Sequence, residues 1–127
     1  MNTDEHRLDV NQITKGVIGC AYKVSNTLGC GFLESVYQNA MLHEIRKSGL
    51  RAEPQREIKV IYDGVVVGDY YADILVEDVL IVELKAVKAL DEIYSAQCLN
   101  YLKASGLKVC LLMNFGKPRV DVRRFVF

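Results

Sequence analysis

The spacing of apolar positions changes along this chain, and each change marks an element. From Ile13, the apolar residues Val17, Ala21, Val24 and Leu28 recur at helical intervals until Gly29-Cys30-Gly31 breaks the pattern. A second stripe, Leu33, Val36, Tyr37, Ala40, Met41 and Ile45, predicts a helix from about Leu33 to Ser48, closed by Gly49. Pro54 opens a different regime. Glu57 to Tyr62 alternates polar and apolar residues, as a half-buried strand does, and Asp63-Gly64 is a strong hairpin turn signal. Val65 to Val67 then leads past Gly68 into a strand over Tyr70 to Val76, and Glu77-Asp78 marks a further turn.

Leu80 to Val87 is nearly all apolar, which implies a strand covered on both faces. Asp91 is the expected N-cap of a third helix running to about Ser105, with Gly106 closing it. Leu107 to Asn114 reads as another buried strand. Phe115 to Pro118 is a turn, and Val122 to Phe127 reads as an edge strand. The order is α-α-β-β-β-α-β with a final strand, an α/β fold on a mixed sheet, with no linker, repeat or low-complexity segment. One domain over residues 1–127 is the expectation at this length.

Composition narrows the chemistry. Sixteen acidic residues balance sixteen basic ones, which disfavours a sequence-independent nucleic-acid binder driven by surplus positive charge. The four cysteines, at 20, 30, 98 and 110, include no Cys-x-x-Cys pair, and only His6 and His43 are there to help ligate zinc. The polar opening MNTDEHRLDVNQ has no apolar core of a secretion signal. No apolar run nears the ~20 residues of a membrane span. A cytoplasmic protein with reduced thiols is the expectation. No Gly-x-Ser-x-Gly elbow, phosphate-loop Gly-Lys-Ser/Thr or dinucleotide glycine fingerprint is present.

The stretch Ile81-Val82-Glu83-Leu84-Lys85-Ala86-Val87 places two charges in a strand that otherwise looks like core. Residues two apart on a strand share a face, so Glu83 and Lys85 project together. If Val76 pairs with Leu80 across a three-residue loop, Asp73 lies directly opposite Glu83; a two-residue loop sends it to the other face. Glu-Asp lacks the Gly or Asn that two-residue loops favour, so the longer loop is expected. Carboxylates at the ~5 Å of directly opposed residues repel by about 3 kcal/mol at an effective dielectric near 20. Lys85 offsets one charge. What remains is a net negative pocket that either raises a carboxyl pKa or recruits a hard cation such as magnesium or manganese. The competing account is a structural Asp-Lys or Glu-Lys bridge on a partly exposed strand.

Asp73 followed by Glu83-Leu84-Lys85 resembles the core motif of the PD-(D/E)XK nucleases, and the element order is similar to that restriction-endonuclease-like fold. Gly31-Phe32-Leu33-Glu34-Ser35-Val36-Tyr37 further resembles the signature of the GxxExxY proteins, a family placed in that superfamily. GFLESVYQNAML, YYADILVED, VELKAV, AQCLNYL and LLMNFG extend the likeness from about Ile13 to the C-terminus. The resemblance implies Asp73 and Glu83 as ligands of Mg²⁺ or Mn²⁺, with Glu34 completing the site and the Leu84 carbonyl as a further ligand. It implies Lys85 as the group that orients the attacking water. Gln97 and Tyr101 resemble the Gln-x-x-x-Tyr element of RecB-type exonucleases and imply a substrate contact, with Gln97 joining Asp73, Glu83 and Lys85 in the catalytic set.

The residues themselves leave alternatives open. Gln97 interrupts a stripe of Tyr94, Cys98 and Tyr101; its amide needs a partner if buried, and a loop carbonyl serves as well as a phosphate. Glu34 also fits a first helical turn through the macrodipole alone. Tyr37 reads as core. Lys117, Arg119, Arg123 and Arg124, with Lys85, Lys88 and Lys103, offer either a phosphate-facing rim or a solvated surface. The expected function is a divalent-metal-dependent nuclease acting on DNA. The alternative is a catalytically silent nuclease-fold module that binds nucleic acid or regulates, and a homo-oligomer stays open for either.

Overall fold

The computed structural model describes residues 9–127; His6 and the polar opening segment before Asp9 lie outside them. Three helices and five strands follow one another as α1 (Val10–Leu28), α2 (Glu34–Lys47), β1 (Ala52–Tyr62), β2 (Val65–Val76), β3 (Leu80–Lys85), α3 (Glu92–Ser105), β4 (Val109–Asn114) and β5 (Asp121–Val126). The strands form one sheet in the order β1-β2-β3-β4-β5. Only β3 and β4 run parallel; the other neighbours are antiparallel. A parallel pair needs a long crossover, and α3 supplies it.

Helices α1 and α2 pack on one face of the sheet and α3 on the other, which gives two apolar clusters. Strands β3 and β4 are covered on both sides, as their apolar runs require. Among the described residues, no helix is long and apolar enough to cross a membrane.

Local chemistry sets the ends. Asp9 and Gln12 form a capping box at the start of α1, and Gly29, with φ of 68°, ends it. Asp91 caps α3 through the Ile93 N–H, and Gly106 closes it in the left-handed conformation. Among the described residues, no side chain caps helix α2. Its buried anchors Tyr37, Met41 and Ile45 have no exposed surface. Each is worth about 1.5–3 kcal/mol on burial, against about 1 kcal/mol for the missing cap.

Three expectations need correction. Leu33, assigned above to the buried stripe, is 78% exposed, because α2 begins one residue later and Leu33 is its N-cap. Strand β1 begins at Ala52, not Glu57, and Pro54 is tolerated within it because β1 is an edge strand. Strand β3 ends at Lys85, not Val87. The buried Asn114 side chain takes the Val87 N–H at 3.0 Å and donates to the Val87 carbonyl at 2.9 Å, so the backbone groups of Val87 are held outside the ladder.

Candidate active site

The site grows from the connection between β2 and β3. Val76 pairs with Leu80 across Glu77, Asp78 and Val79. Glu77 and Asp78 both hold positive φ, 50° and 57°, and the Val79 N–H returns to the Val76 carbonyl at 3.0 Å. Arg51 braces this turn: its N–H donates to Glu77 Oε2 at 2.6 Å, and its carbonyl accepts the Glu77 N–H at 3.0 Å. The resulting register sets Asp73 opposite Glu83.

The β2–β3 ladder stops one pair earlier, at Ile74 and Val82. Beyond it the two carboxylates take over from the backbone. Glu83 Oε1 accepts the Asp73 N–H at 3.1 Å, and Asp73 Oδ2 accepts the Leu84 N–H at 2.8 Å. N–H and C=O of one strand residue point to the same edge, so the Leu84 carbonyl also faces the β2 side, next to Asp73.

Alternation slips at this point in both strands. Ala72 and Leu75, three apart, enter the same α3-side cluster, whereas a regular strand sends them to opposite faces. Ala52 and Ile58, six apart, enter opposite clusters. Gln55, across from Asp73, has φ of 51° and no ladder partner. The two slips offset one another, and pairing resumes at Arg56 and Ala72 in the same register. Asp73 thus occupies the kink, the kind of irregularity that re-aims a side chain.

Glu83 is buried, with 3% exposure, and Asp73 is half-buried. Burial, then the negative charge of Asp73, pushes the Glu83 carboxyl up to about 9. Tyr101 of α3, also buried, is pushed up to about 12 by burial and then by Glu83 and Asp73, so its hydroxyl stays protonated beside the two acids. It accepts a hydrogen bond from Gln97 Nε2 at 2.8 Å. The Gln97 amide therefore finds its partner on its own helix and not on a loop carbonyl.

Lys85 forms no ion pair with Asp73 or Glu83 among the described residues. Its ammonium rests 4.7 Å from the ring centre of Tyr94. The simple salt-bridge account of these charges is therefore not what the structure holds. Lys85, Tyr94, Gln97 and Tyr101 line one groove together.

Glu34 opens α2 and is largely exposed. Its carboxyl is raised, first by partial loss of water and then by Asp73, while Lys85 works against the rise. The side chain thus senses the site from the other sheet face. It does not close a tripod there: among the described residues, no three His, Cys, Asp or Glu side chains gather at metal-binding spacing.

Tyr37 shows what its motif does mechanically. Its hydroxyl donates to the Gly29 carbonyl at 2.7 Å and accepts the Phe32 N–H at 3.2 Å, which pins the loop that delivers Glu34. Its ring stacks on Phe115 at 4.8 Å, and the Phe115 N–H donates to the Lys85 carbonyl at 2.8 Å. Gly116 lies so close to Val87 that a Cβ would stand 2.1 Å from its carbonyl oxygen. The two motifs, one around Glu34 and one around Asn114, therefore meet behind Lys85.

Asn114 went unassigned in the sequence, although a polar residue closing a buried apolar run needs a partner. Cys98 and Cys110, read from the sequence only as reduced thiols, lie buried near Glu83, and Cys110 is raised first by hydrogen bonding with Cys98 and then by burial. All four cysteines are free thiols.

The basic residues near the C-terminus do not join Lys85 in a single rim. Lys117 and Arg123 reach Asp121 at 4.0 and 3.4 Å. Arg119 lies over the Tyr22 ring, and Arg124 donates to Asn11, both on α1 across the sheet from Lys85.

No curated protein and no solved structure gives a significant match to the chain. A family model described as the PD-(D/E)XK nuclease superfamily matches residues 11–125. That span contains the opposed acids, Lys85, Glu34 and all eight elements but the first residue of α1 and the last of β5, and the chain belongs to the PD-(D/E)XK nuclease superfamily.

Proposed function

We propose that this chain forms one nuclease domain, a divalent-metal-dependent nuclease of the GxxExxY type, hydrolysing phosphodiester bonds with DNA as its first substrate. The observation that carries the reading is the opposed pair of Asp73 and Glu83, in which burial and a like charge hold Glu83 at about 9. A carboxyl kept protonated by burial and by a neighbouring acid is relieved by a cation, and oxygen donors suit Mg²⁺ or Mn²⁺.

Asp73 and Glu83 would hold that ion, with the Leu84 carbonyl on the same strand edge and Glu34 approaching from α2. When bound, the ion supplies charge neutralisation at the phosphate and a lowered pKa for water. Lys85, free of either acid, orients and activates the attacking water and offsets negative charge gathering on the phosphate oxygens. Gln97 and Tyr101, tied to each other, present an amide and a phenol to the substrate backbone. Tyr94 fixes the height of the Lys85 ammonium.

A second reading is favoured by one observation, the absence of a three-acid cluster among the described residues. It is a nuclease-fold module that binds nucleic acid without cutting it. The deciding experiment incubates single- and double-stranded DNA and RNA with the protein and Mg²⁺ or Mn²⁺, beside Lys85→Ala. Cleavage that disappears in the variant supports the nuclease. Cleavage that survives in Lys85→Ala removes the proposed mechanism, and no cleavage by the parent protein selects the module.

A further inference from the structure

The groove beside Lys85 has features that cleavage alone does not require. It measures about 800 Å³ and runs between α3 and the β1–β2 hairpin. One end is shared with the candidate site through Lys85, Gln97 and Tyr101. The remainder is walled by Tyr70, Tyr94 and Ile93, with Asn100 and Lys103 farther along.

Three properties select an occupant. Among the described residues its lining holds two lysines and no carboxylate, in a chain whose net charge is zero. Its walls are apolar and aromatic yet open to water: Ile93 is 65% exposed and Tyr70 48%. The Tyr70 ring leans on Tyr101 at 5.9 Å with a 51° tilt. Asn100 adds an amide that can read a polar edge. A flat ring with a polar edge, joined to an anion, satisfies all of these. Clefts of about 300–1,000 Å³ hold ligands the size of one or two nucleotide units, not a duplex segment.

We infer that this groove seats an unpaired nucleotide next to the reacting phosphate, stacked against Tyr70 and Ile93 with its phosphodiester toward Lys85, so that the protein selects single strands over duplex. The inference rests on the nuclease reading for the position of that phosphate; recognition of the strand itself needs no turnover.

The test is fluorescence anisotropy of a labelled single-stranded DNA oligonucleotide, and of the same sequence as a duplex, titrated with the full chain in EDTA. Single-stranded DNA is expected to bind at least tenfold more tightly than duplex. Tyr70→Ala weakens it by about tenfold, the scale of one lost base–aromatic stack, and Ile93→Asp, which sets a carboxylate against the phosphodiester, weakens it by a similar factor. Both side chains are substantially exposed, and unchanged circular dichroism and melting confirm that the variants fold. Lys59→Ala, at an exposed position lining a different cavity, binds like the parent.

No binding by the parent protein, equal or tighter binding of duplex, or unchanged affinity in both folded variants overturns the inference. Groove-dependent binding without any cleavage in Mn²⁺ leaves the inference standing and removes the nuclease reading. Cleavage with unchanged binding in both variants does the reverse.

Discussion

Asp73 and Glu83 face one another across β2 and β3, and each carboxylate holds a backbone N–H of the other's strand, at 3.1 Å to Asp73 and 2.8 Å to Leu84. The acids therefore act as structural links as well as candidate ligands. Removing charge and removing the side chain have different consequences.

Charge at Glu83 opposes folding when no cation is bound. Its pKa rises from 4.5 to about 9 in the folded chain, through burial and then Asp73. The folded state holds this proton more tightly than the unfolded state. Its contribution to stability is complete below about pH 4.5 and is lost as pH rises toward 9. Glu83→Gln, which keeps an acceptor for the Asp73 N–H, should raise stability in EDTA at pH 8 by on the order of 2 kcal/mol. It should also flatten the loss between pH 5 and 8. Thermal melts of both proteins across that range check this; a variant less stable than the parent at pH 8 contradicts it.

The Asp73 side chain is a different matter. Asp73→Ala leaves the Leu84 N–H without its acceptor, at a cost of about 1–3 kcal/mol. Asp73→Asn keeps an oxygen there and removes the like charge beside Glu83. Urea denaturation in EDTA should therefore find Asp73→Ala clearly less stable than Asp73→Asn. Equal stability of the two would mean that the Asp73–Leu84 link carries no weight.

Tyr37→Phe keeps the stack on Phe115 but removes the hydroxyl that joins Gly29 to Phe32. The expected loss is about 1–2 kcal/mol, with faster amide hydrogen exchange at Phe32. Unchanged exchange at Phe32 would show that the loop presenting Glu34 is held by other contacts.

Much of the geometry of the candidate site was legible because it depends on local rules. The length of the Glu77-Asp78-Val79 connection followed from its lack of Gly or Asn, and that length alone decides whether Asp73 meets Glu83. Asp91 and Gly106 marked α3 through capping chemistry. The features that escaped are set by partners distant in sequence. Glu53 to Arg56 carries no alternation, so the start of β1 depends on pairing with β2. The slip at Gln55 and Asp73 is visible only once both helical layers are in place. The end of β3 is fixed by Asn114, 27 residues after Val87. Leu33 kept an apolar identity at a position where the helix had not yet begun.

The claim that the opposed acids form a cation site is tested most directly by calorimetric titration of Mn²⁺ at pH 7 in two buffers of different ionisation enthalpy. A carboxyl that is protonated beforehand must release its proton to act as a ligand. The account predicts one Mn²⁺ per chain, with about one proton released on binding in the parent protein and none in Glu83→Gln. Absence of binding, or binding with no proton release that is unchanged in Glu83→Gln, would contradict it.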